Sequence, residues 1–382
     1  MSDRPASERP EIPLFEIAWD ELDVENATDS ITRGGYWAKG PYVTEFEEKL
    51  AEYVGLDHAV VVNSGTTALV TALRAHGVGP GDEVVVPSFT FVATANAVEL
   101  VGARPVFADI ERETYGLDPS SVREELTDET AALLPVHPYG TTCRIDELAA
   151  IADDEDLALV EDAAESLGAT FDGRSVGTFG DSAAFSFCQN KVVATGEGGA
   201  VLTDDSEIAE NARLYRSHGR ESTDYFESSG SGRYPDIGTN VRMADVVAAI
   251  GCAQMEKVEE LIAGRRWAAD RMTDGLADVS GVEPHRGLGD STHVRQLYTV
   301  TLSPDVDRDG VIDALDARNI SSKIYWDPPV HLTDYYRGRY DYDPGALPVT
   351  EDVAGRVLSL PIHPNLSAEE ADRIVAAVRA GV

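Results

Sequence analysis

The sequence is poor in lysine. Five occur in 382 residues (Lys39, Lys49, Lys191, Lys257 and Lys323), so 26 of the 31 basic residues are arginines, and 68 aspartates and glutamates stand against them. The formal net charge of −37 excludes nucleic acid and anionic membrane surfaces as partners held by general attraction, because the field of the chain repels both. Cysteine is scarce too. Cys143, Cys188 and Cys252 show neither a CxxC pair nor a metal-like spacing, so neither a disulfide framework nor a metal site is expected, and this usage suits a reducing cytoplasm. No run of 18 apolar residues occurs, which excludes a transmembrane helix. Met1 to Pro13 is charged and contains proline without an apolar centre, unlike a signal peptide. GxGxxG and GxxxxGK[ST] are both absent, so a dinucleotide site or a P-loop has no support. There is no internal repeat and no low-complexity run.

What is present is a folding chain. Hydrophobic residues make up 43%, and the acid is spread along the sequence rather than gathered in a tail, which excludes intrinsic disorder. Self-repulsion on this scale destabilises a compact state. At about 1 M salt the Debye length is roughly 3 Å and the cost largely disappears, so the charge reads as adaptation to a salty cytoplasm.

Seven short β-rich runs follow one another at Ala59–Asn63, Glu83–Pro87, Pro105–Ala108, Ala132–Val136, Leu157–Glu161, Ala183–Phe187 and Gly199–Thr203. Helical patterns at 66–76, 91–101, 119–126 and 145–154 separate most of them. Strands alternating with helices of about ten residues predict an α/β fold with a mostly parallel seven-stranded sheet covered on both faces. The rhythm changes after residue 205. Helices are predicted at 206–218 and 244–277, the second a spine, with a Gly/Ser/Tyr-rich stretch between them. A smaller α+β annex follows: strand 296–302, helix 308–318, strand 322–325, a Pro/Tyr-rich loop 326–348, and helices 350–358 and 367–380. The expected division is 1–250 for the N-terminal arm and large domain, and 251–382 for the spine helix and small C-terminal domain.

Three places carry candidate chemistry. In NSGTTALVTAL a strand ends at Asn63 and a helix opens near Thr66, so exposed N–H groups and the positive end of a helix dipole suit a phosphate. In VEDAAESLGA, Asp162 lies at the C-terminal end of a strand, where open α/β sheets bind ligands. In FSFCQNKVVATGEGG, Lys191 follows an apolar strand by four residues in a glycine-rich setting. A desolvated lysine has a lowered pKa and forms an imine with a carbonyl. Taken singly, each has a plain alternative: an N-cap, an N-cap aspartate, a solvated loop lysine. Taken together they are the three anchors of pyridoxal 5'-phosphate (PLP), with Phe89 and Phe91 after a strand to offer an aromatic face.

The ordered set GGYWAKGPYVTEFE, GDEVVVPSFTFVATANAV, PVHPYG, EDAAESLGA, FSF…K…GEGG, RSHG, GTNVRM and LPIHP resembles the DegT/DnrJ/EryC1/StrS family of PLP-dependent sugar aminotransferases, of fold-type I architecture. The resemblance implies that Lys191 bears the cofactor and shuttles a proton between the amino donor and C4′. Asp162 then pairs with the pyridine nitrogen, and Phe91 covers the ring while Phe89 belongs to the core. Gly65, Thr66 and Ser186 hold the phosphate. Asn240 resembles an asparagine that reaches the phosphate from the other subunit, which implies a homodimer with the loop 225–240 ordered at its interface. Glu165 stands where many members have glutamine, near the ring O3′ or the substrate. Trp37, Lys39, Tyr325 and His331 match segments that line the sugar pocket. Arg216 and His218 either are structural or meet the diphosphate or the donor carboxylate. The implied reaction passes an amino group from an amino acid, L-glutamate, to a nucleotide-linked keto-6-deoxy sugar; the DAAES form resembles members acting on 4-keto sugars of the perosamine type. A cyclitol or other non-nucleotide ketone as acceptor, and a non-catalytic sensor that keeps the fold, are the alternatives.

Overall fold

The computed structural model describes residues 10–221 and 232–382. The central sheet is built from β1 (His58–Val62), β2 (Glu83–Pro87), β3 (Arg104–Ala108), β4 (Thr130–Leu133), β5 (Ala158–Asp162), β6 (Ser182–Ser186) and β7 (Gly199–Thr203). Their order across the sheet is β1-β7-β6-β5-β4-β2-β3. Only β7 runs against its neighbours, antiparallel to β1 and β6, while the pairs from β6 to β3 are parallel. All seven strands fall within two residues of the expected runs at their starts.

The strands are apolar on both sides because both sides are covered. Successive residues point to opposite faces, so Val61 enters the core under α2 (Pro41–Val54) and α8 (Asp245–Glu256), and Val62 the core under α3 (Gly65–Ala75) and α4 (Ala93–Val101). A further core lies under α5 (Pro119–Glu125) and α6 (Ile145–Glu155), and α7 (Ser206–Tyr215) packs on α3.

The expected spine 244–277 is two helices, α8 and α9 (Val258–Leu276). Lys257 between them leaves helical geometry (φ −117°, ψ 12°). Its ammonium pairs with Asp20 at 2.8 Å and with Asp23, fastening α1 (Glu21–Thr32) at the break. The small domain is a three-stranded antiparallel sheet, β8 (Val282–Pro284), β9 (Tyr298–Leu302) and β10 (Val357–Leu360), with α10 (Arg308–Asp316) and α13 (Ala368–Gly381). Three expectations change here. The loop 326–348 contains a helix, α11 (Asp334–Tyr340); the helix expected over 350–358 is α12 (Pro348–Ala354), which stops before β10; and 322–325 contributes a single bridge, Lys323 to Ser359. The boundary expected at 250/251 falls inside α8. Val258, Leu261 and Ile262 of α9 still belong to the large-domain core, whereas Ala268, Met272 and Leu276 enter the small one, together with Ile12 from the N-terminal arm. Part of the loop 225–240 expected to be ordered by a partner, residues 225–231, lies outside the described residues.

Candidate active site

The sheet's C-terminal edge collects the site. After β1 the chain turns at Ser64, which caps α3: its hydroxyl accepts from Thr67 N–H at 3.1 Å, and Thr67 Oγ1 accepts from Ser64 N–H. The first N–H groups of a helix have no partner within the helix, so those of Gly65 and Thr66 face the space above the sheet. A Cβ on residue 65 would lie 2.7 Å from the Cβ of Ser186 at the end of β6, so only glycine lets the two strand ends approach this closely.

Asp162 ends β5 and is buried. Its carboxylate accepts from Thr94 Oγ1 at 2.8 Å and from Ala164 N–H at 3.2 Å. Both donors are neutral, and burial pushes the carboxyl pKa up, against the lowering effect of these bonds and of Lys191. A buried carboxylate with neutral donors only is suited to a cation.

Lys191 follows a tight turn after β6, in which Lys191 N–H donates to Cys188 C=O at 2.9 Å. Its ammonium lies 3.2 Å from Glu165 Oε1, and both side chains are largely buried. The other oxygen, Glu165 Oε2, accepts from Tyr139 N–H at 2.9 Å. Tyr139 sits at φ 62°, with its ring stacked on Trp326 at 5.4 Å and its hydroxyl donating to Tyr325 C=O. Phe91, just before α4, is 60% exposed, whereas Phe89 is buried edge-on to Tyr115, Tyr139 and Trp326.

Residues 20–379 match the DegT/DnrJ/EryC1/StrS aminotransferase family. The chain belongs to that family. It is 39% identical over 343 residues to the GDP-perosamine synthase of Caulobacter vibrioides, covering 89% of this chain and 90% of the relative. It is 38% identical over 384 residues to a dTDP-3-amino-3,4,6-trideoxy-alpha-D-glucose transaminase of Streptomyces venezuelae, covering 99% and 98%. The solved structure of S. venezuelae DesV with a ketimine intermediate superposes with a TM-score of 0.90 at 38% identity, over 97% of this chain and 98% of that one. The protein is a PLP-dependent sugar aminotransferase of fold-type I, an enzyme of amino-sugar biosynthesis.

The residues present fit that cofactor. The turn at Ser64–Thr66 is a cradle that a side chain at 65 would fill, and Asp162 is a buried carboxylate whose hydrogen-bond donors among the described residues are neutral. Of the expected substrate residues of the aminotransferase, two are taken up inside the fold. His331 is fully buried: its Nδ1 accepts from Ser88 Oγ at 2.6 Å, its Nε2 donates to Glu351 Oε1 at 3.3 Å, and burial lowers its pKa. Both ring nitrogens are taken, so His331 fastens the residue after β2 to α12. Arg216 is tied to the Glu47 carboxylate of α2 and donates to Val61 C=O at 2.8 Å, which pins α2 to β1. The others lie where a ligand can reach them. Trp37 is 60% exposed, Lys39 is half-buried in the same turn, and Tyr325 is half-buried with its hydroxyl pKa raised first by burial and then by the Glu165 charge. His218 and Asn240 are exposed on adjacent chain segments, bridged at Ser217 and Asn240.

Thr94, Tyr139 and Asp245 escaped the sequence reading. A hydroxyl in the first turn of the helix after Phe91 was the available signal for Thr94. Asp245 has none: its buried carboxylate gathers Ser30 Oγ at 2.6 Å, Tyr42 N–H at 3.0 Å and Arg33 at 3.2 Å, and so holds the Trp37–Tyr42 turn in place. Among the described residues no helix is long and apolar enough to cross a membrane, and no group of three or more His, Cys, Asp or Glu could hold a metal.

Proposed function

We propose that the enzyme moves the amino group of L-glutamate to a nucleotide-linked keto-6-deoxy sugar, in the cytoplasm, as a homodimer. The observation that carries this reading is the Lys191–Glu165 contact of 3.2 Å, with the charge of Lys191 acting on the buried Asp162 carboxylate. Bound PLP supplies an electrophilic aldehyde and a ring that accepts the electron pair of a breaking bond. The chain does the rest. The N–H groups of Gly65 and Thr66 and the Ser186 hydroxyl hold the phosphate, Asp162 keeps a proton on the ring nitrogen, and Phe91 covers the ring. Lys191 Nζ takes the proton from the donor's Cα, and later returns one to the sugar carbon. Glu165 holds that nitrogen between turns. Asn240 of the partner subunit closes the phosphate site; the exposure of Asn240 and Phe91 supports a site completed by a second copy. Trp37, Lys39, Tyr325 and His218 line the approach for the sugar. The nucleotide-linked acceptor is supported by relatives whose names carry GDP- and dTDP-linked sugars.

The test is direct. Full-length protein with PLP and glutamate is given GDP- or dTDP-linked 4-keto-6-deoxyhexose, or an inositol-derived ketone, and 2-oxoglutarate is measured. Release with the nucleotide sugars is expected; release with the cyclitol ketone alone refutes the acceptor class. Repeating the assay from low to molar KCl tests the reading of the −37 charge. Substrate and cofactor are both anionic, so activity is expected to rise as salt screens the surface. A fall rejects the salt adaptation.

A further inference from the structure

We infer that Gln296 is a positioning residue for Lys191, through which the small domain sets the direction of the catalytic side chain. The inference rests on the reading of Lys191 as the lysine that bears the cofactor. A peptide unit carries one N–H and one C=O in a single plane. In the unit joining Asn190 to Lys191 both are taken. Lys191 N–H donates to Cys188 C=O at 2.9 Å, and Asn190 C=O accepts from Gln296 Nε2 at 2.8 Å. The first bond is local to the turn. The second crosses 106 residues of sequence, from the segment leading into β9 of the small domain. With both made, the plane cannot swing, and the Cα–Cβ bond of Lys191 leaves a fixed frame.

The neighbours of Gln296 hold the other end of the lysine. Val294 N–H donates to Gly140 C=O at 2.7 Å and Leu297 N–H to Tyr139 C=O at 3.2 Å. Tyr139 N–H holds Glu165, and Glu165 holds the Lys191 ammonium. Gly140 lies at φ 100°, and a Cβ there would stand 2.7 Å from Gln296 N, so the close approach of the two segments requires glycine. One short run, 294–297, therefore steadies Lys191 at its backbone and, through the Tyr139 loop, at its nitrogen.

Stability alone does not account for an amide at 296. The residue is 2% exposed, and Gln296 Oε1 is buried without a hydrogen-bond partner among the described residues. An unsatisfied buried acceptor costs stability, and an apolar group of the same shape avoids that cost. What the amide provides is the single N–H bond to Asn190.

Gln296→Met keeps length and volume while removing both the donor and the unpaired acceptor. In the full-length, PLP-loaded protein the unfolding temperature is expected to match or exceed that of wild type. Turnover is expected to fall about tenfold to thirtyfold with KM for the keto sugar unchanged, because misdirection of a reacting group costs rate rather than binding. The induced circular dichroism of the visible cofactor band, which reports how the ring is held, is expected to change. Wild-type turnover with an unchanged dichroism overturns the inference, and so does a lower unfolding temperature with unchanged dichroism, which marks a structural residue. If Gln296→Met does not fold, Gln296→Glu sets an oxygen against Asn190 C=O with no donor, and the same turnover and dichroism outcomes decide. Hydride reduction of PLP-loaded wild type, followed by peptide mass analysis, checks the underlying reading separately. No label at Lys191 sinks that reading and this inference with it; a labelled Lys191 with an unaffected Gln296→Met sinks this inference only.

Discussion

Glu161 and Asp162 are adjacent on β5, are both buried, and face opposite sides of the sheet. Glu161 is saturated. Its Oε1 accepts from Phe179 and Gly180 N–H, both at 2.7 Å, and its Oε2 from Gly177 N–H at 2.8 Å and His137 Nε2 at 2.9 Å. Cys143 N–H donates to His137 Nδ1 at 3.2 Å, which leaves Nε2 as the nitrogen that donates to Glu161. Asp162 has two donors among the described residues, both neutral. The same acidic chemistry thus serves as a fastener on one face and, in the proposed reading, as a binding group on the other, and what separates them is spare hydrogen-bonding capacity. By that measure His331 and Arg216 stand with Glu161, and Lys191 stands with Asp162.

The largest effect belongs to the open side. Lys191→Ala is expected to lower amino transfer by about 10⁴-fold, the upper range for loss of a positioned acid–base group, and to abolish visible absorbance after PLP soaking. Full absorbance in the variant would show that another group carries the cofactor. On the closed side, Glu161→Gln turns an NH₂ toward backbone donors that need an acceptor. The expected cost is about 3 kcal/mol of stability, read by denaturant unfolding, with turnover of the surviving folded protein near wild type. A selective loss of turnover would instead place Glu161 in the reaction.

Asp162→Asn sharpens the contrast, because activity and stability should move in opposite directions. Turnover is expected to fall by about a hundredfold. Yet the cofactor-free variant should be the more stable at neutral pH. Burial holds the Asp162 carboxyl above its ordinary value, so the folded chain keeps this proton at a pH where the unfolded chain has released it. Folding therefore weakens as pH rises through that window, and asparagine removes the penalty. Melting curves of both cofactor-free proteins from pH 4 to 8 should diverge upward; parallel curves would refute the account.

His331→Leu takes away the acceptor of the Ser88 hydroxyl proton and one donor to Glu351, whose carboxylate keeps the N–H groups of Gly345 and Leu347. A loss of about 2 kcal/mol is expected, with KM for the sugar changed by no more than about twofold. Burial keeps His331 neutral in the fold, while an unfolded histidine gains its proton as pH falls through about 6.5. Wild type accordingly loses this stabilisation on acidification, and the gap between the two proteins should narrow at pH 5. A raised KM at unchanged stability would return His331 to the substrate pocket.

The fold was legible because both of its periods are strong: apolar runs of five residues and helices of about ten, with Gly55 and Gly102 ending α2 and α4. The candidate cofactor residues could be picked out because strand ends are local features; Asp162 and Ser186 end strands, and Gly65 and Lys191 follow one by a few residues. What could not be read is what distant segments do to each other. Ser88 and His331 are separated by 243 residues and Asn190 and Gln296 by 106, and neither member of either pair announces its partner. An isolated histidine in a Pro/Tyr-rich loop looks like a ligand until the serine that occupies it is seen. The break at Lys257 has the same origin, since nothing within 244–277 marks the acidic pair at the start of α1, Asp20 and Asp23, that holds it.

The smallest expected effect tests the weakest member of the closed set. Arg216 and Glu47 are about 15% exposed as side chains, so water and salt reach the pair in part and it cannot count as a fully buried one. Glu47 Oε1 also accepts from Val61 N–H at 2.9 Å, which leaves it partnered when the guanidinium is removed. Arg216→Met, which retains the aliphatic stem, should therefore cost only about 1 kcal/mol. Glu47→Gln keeps a carbonyl oxygen for Val61 and should cost no more. If the two residues act on each other alone, the double variant should be less destabilised than the sum of the singles, and KM for glutamate and for the sugar should be unchanged in all three. A rise in either KM with Arg216→Met, absent from Glu47→Gln, would mean that the guanidinium turns from Glu47 to an anionic ligand during turnover; the ion pair would then be its resting position and Arg216 would move to the open side of the comparison.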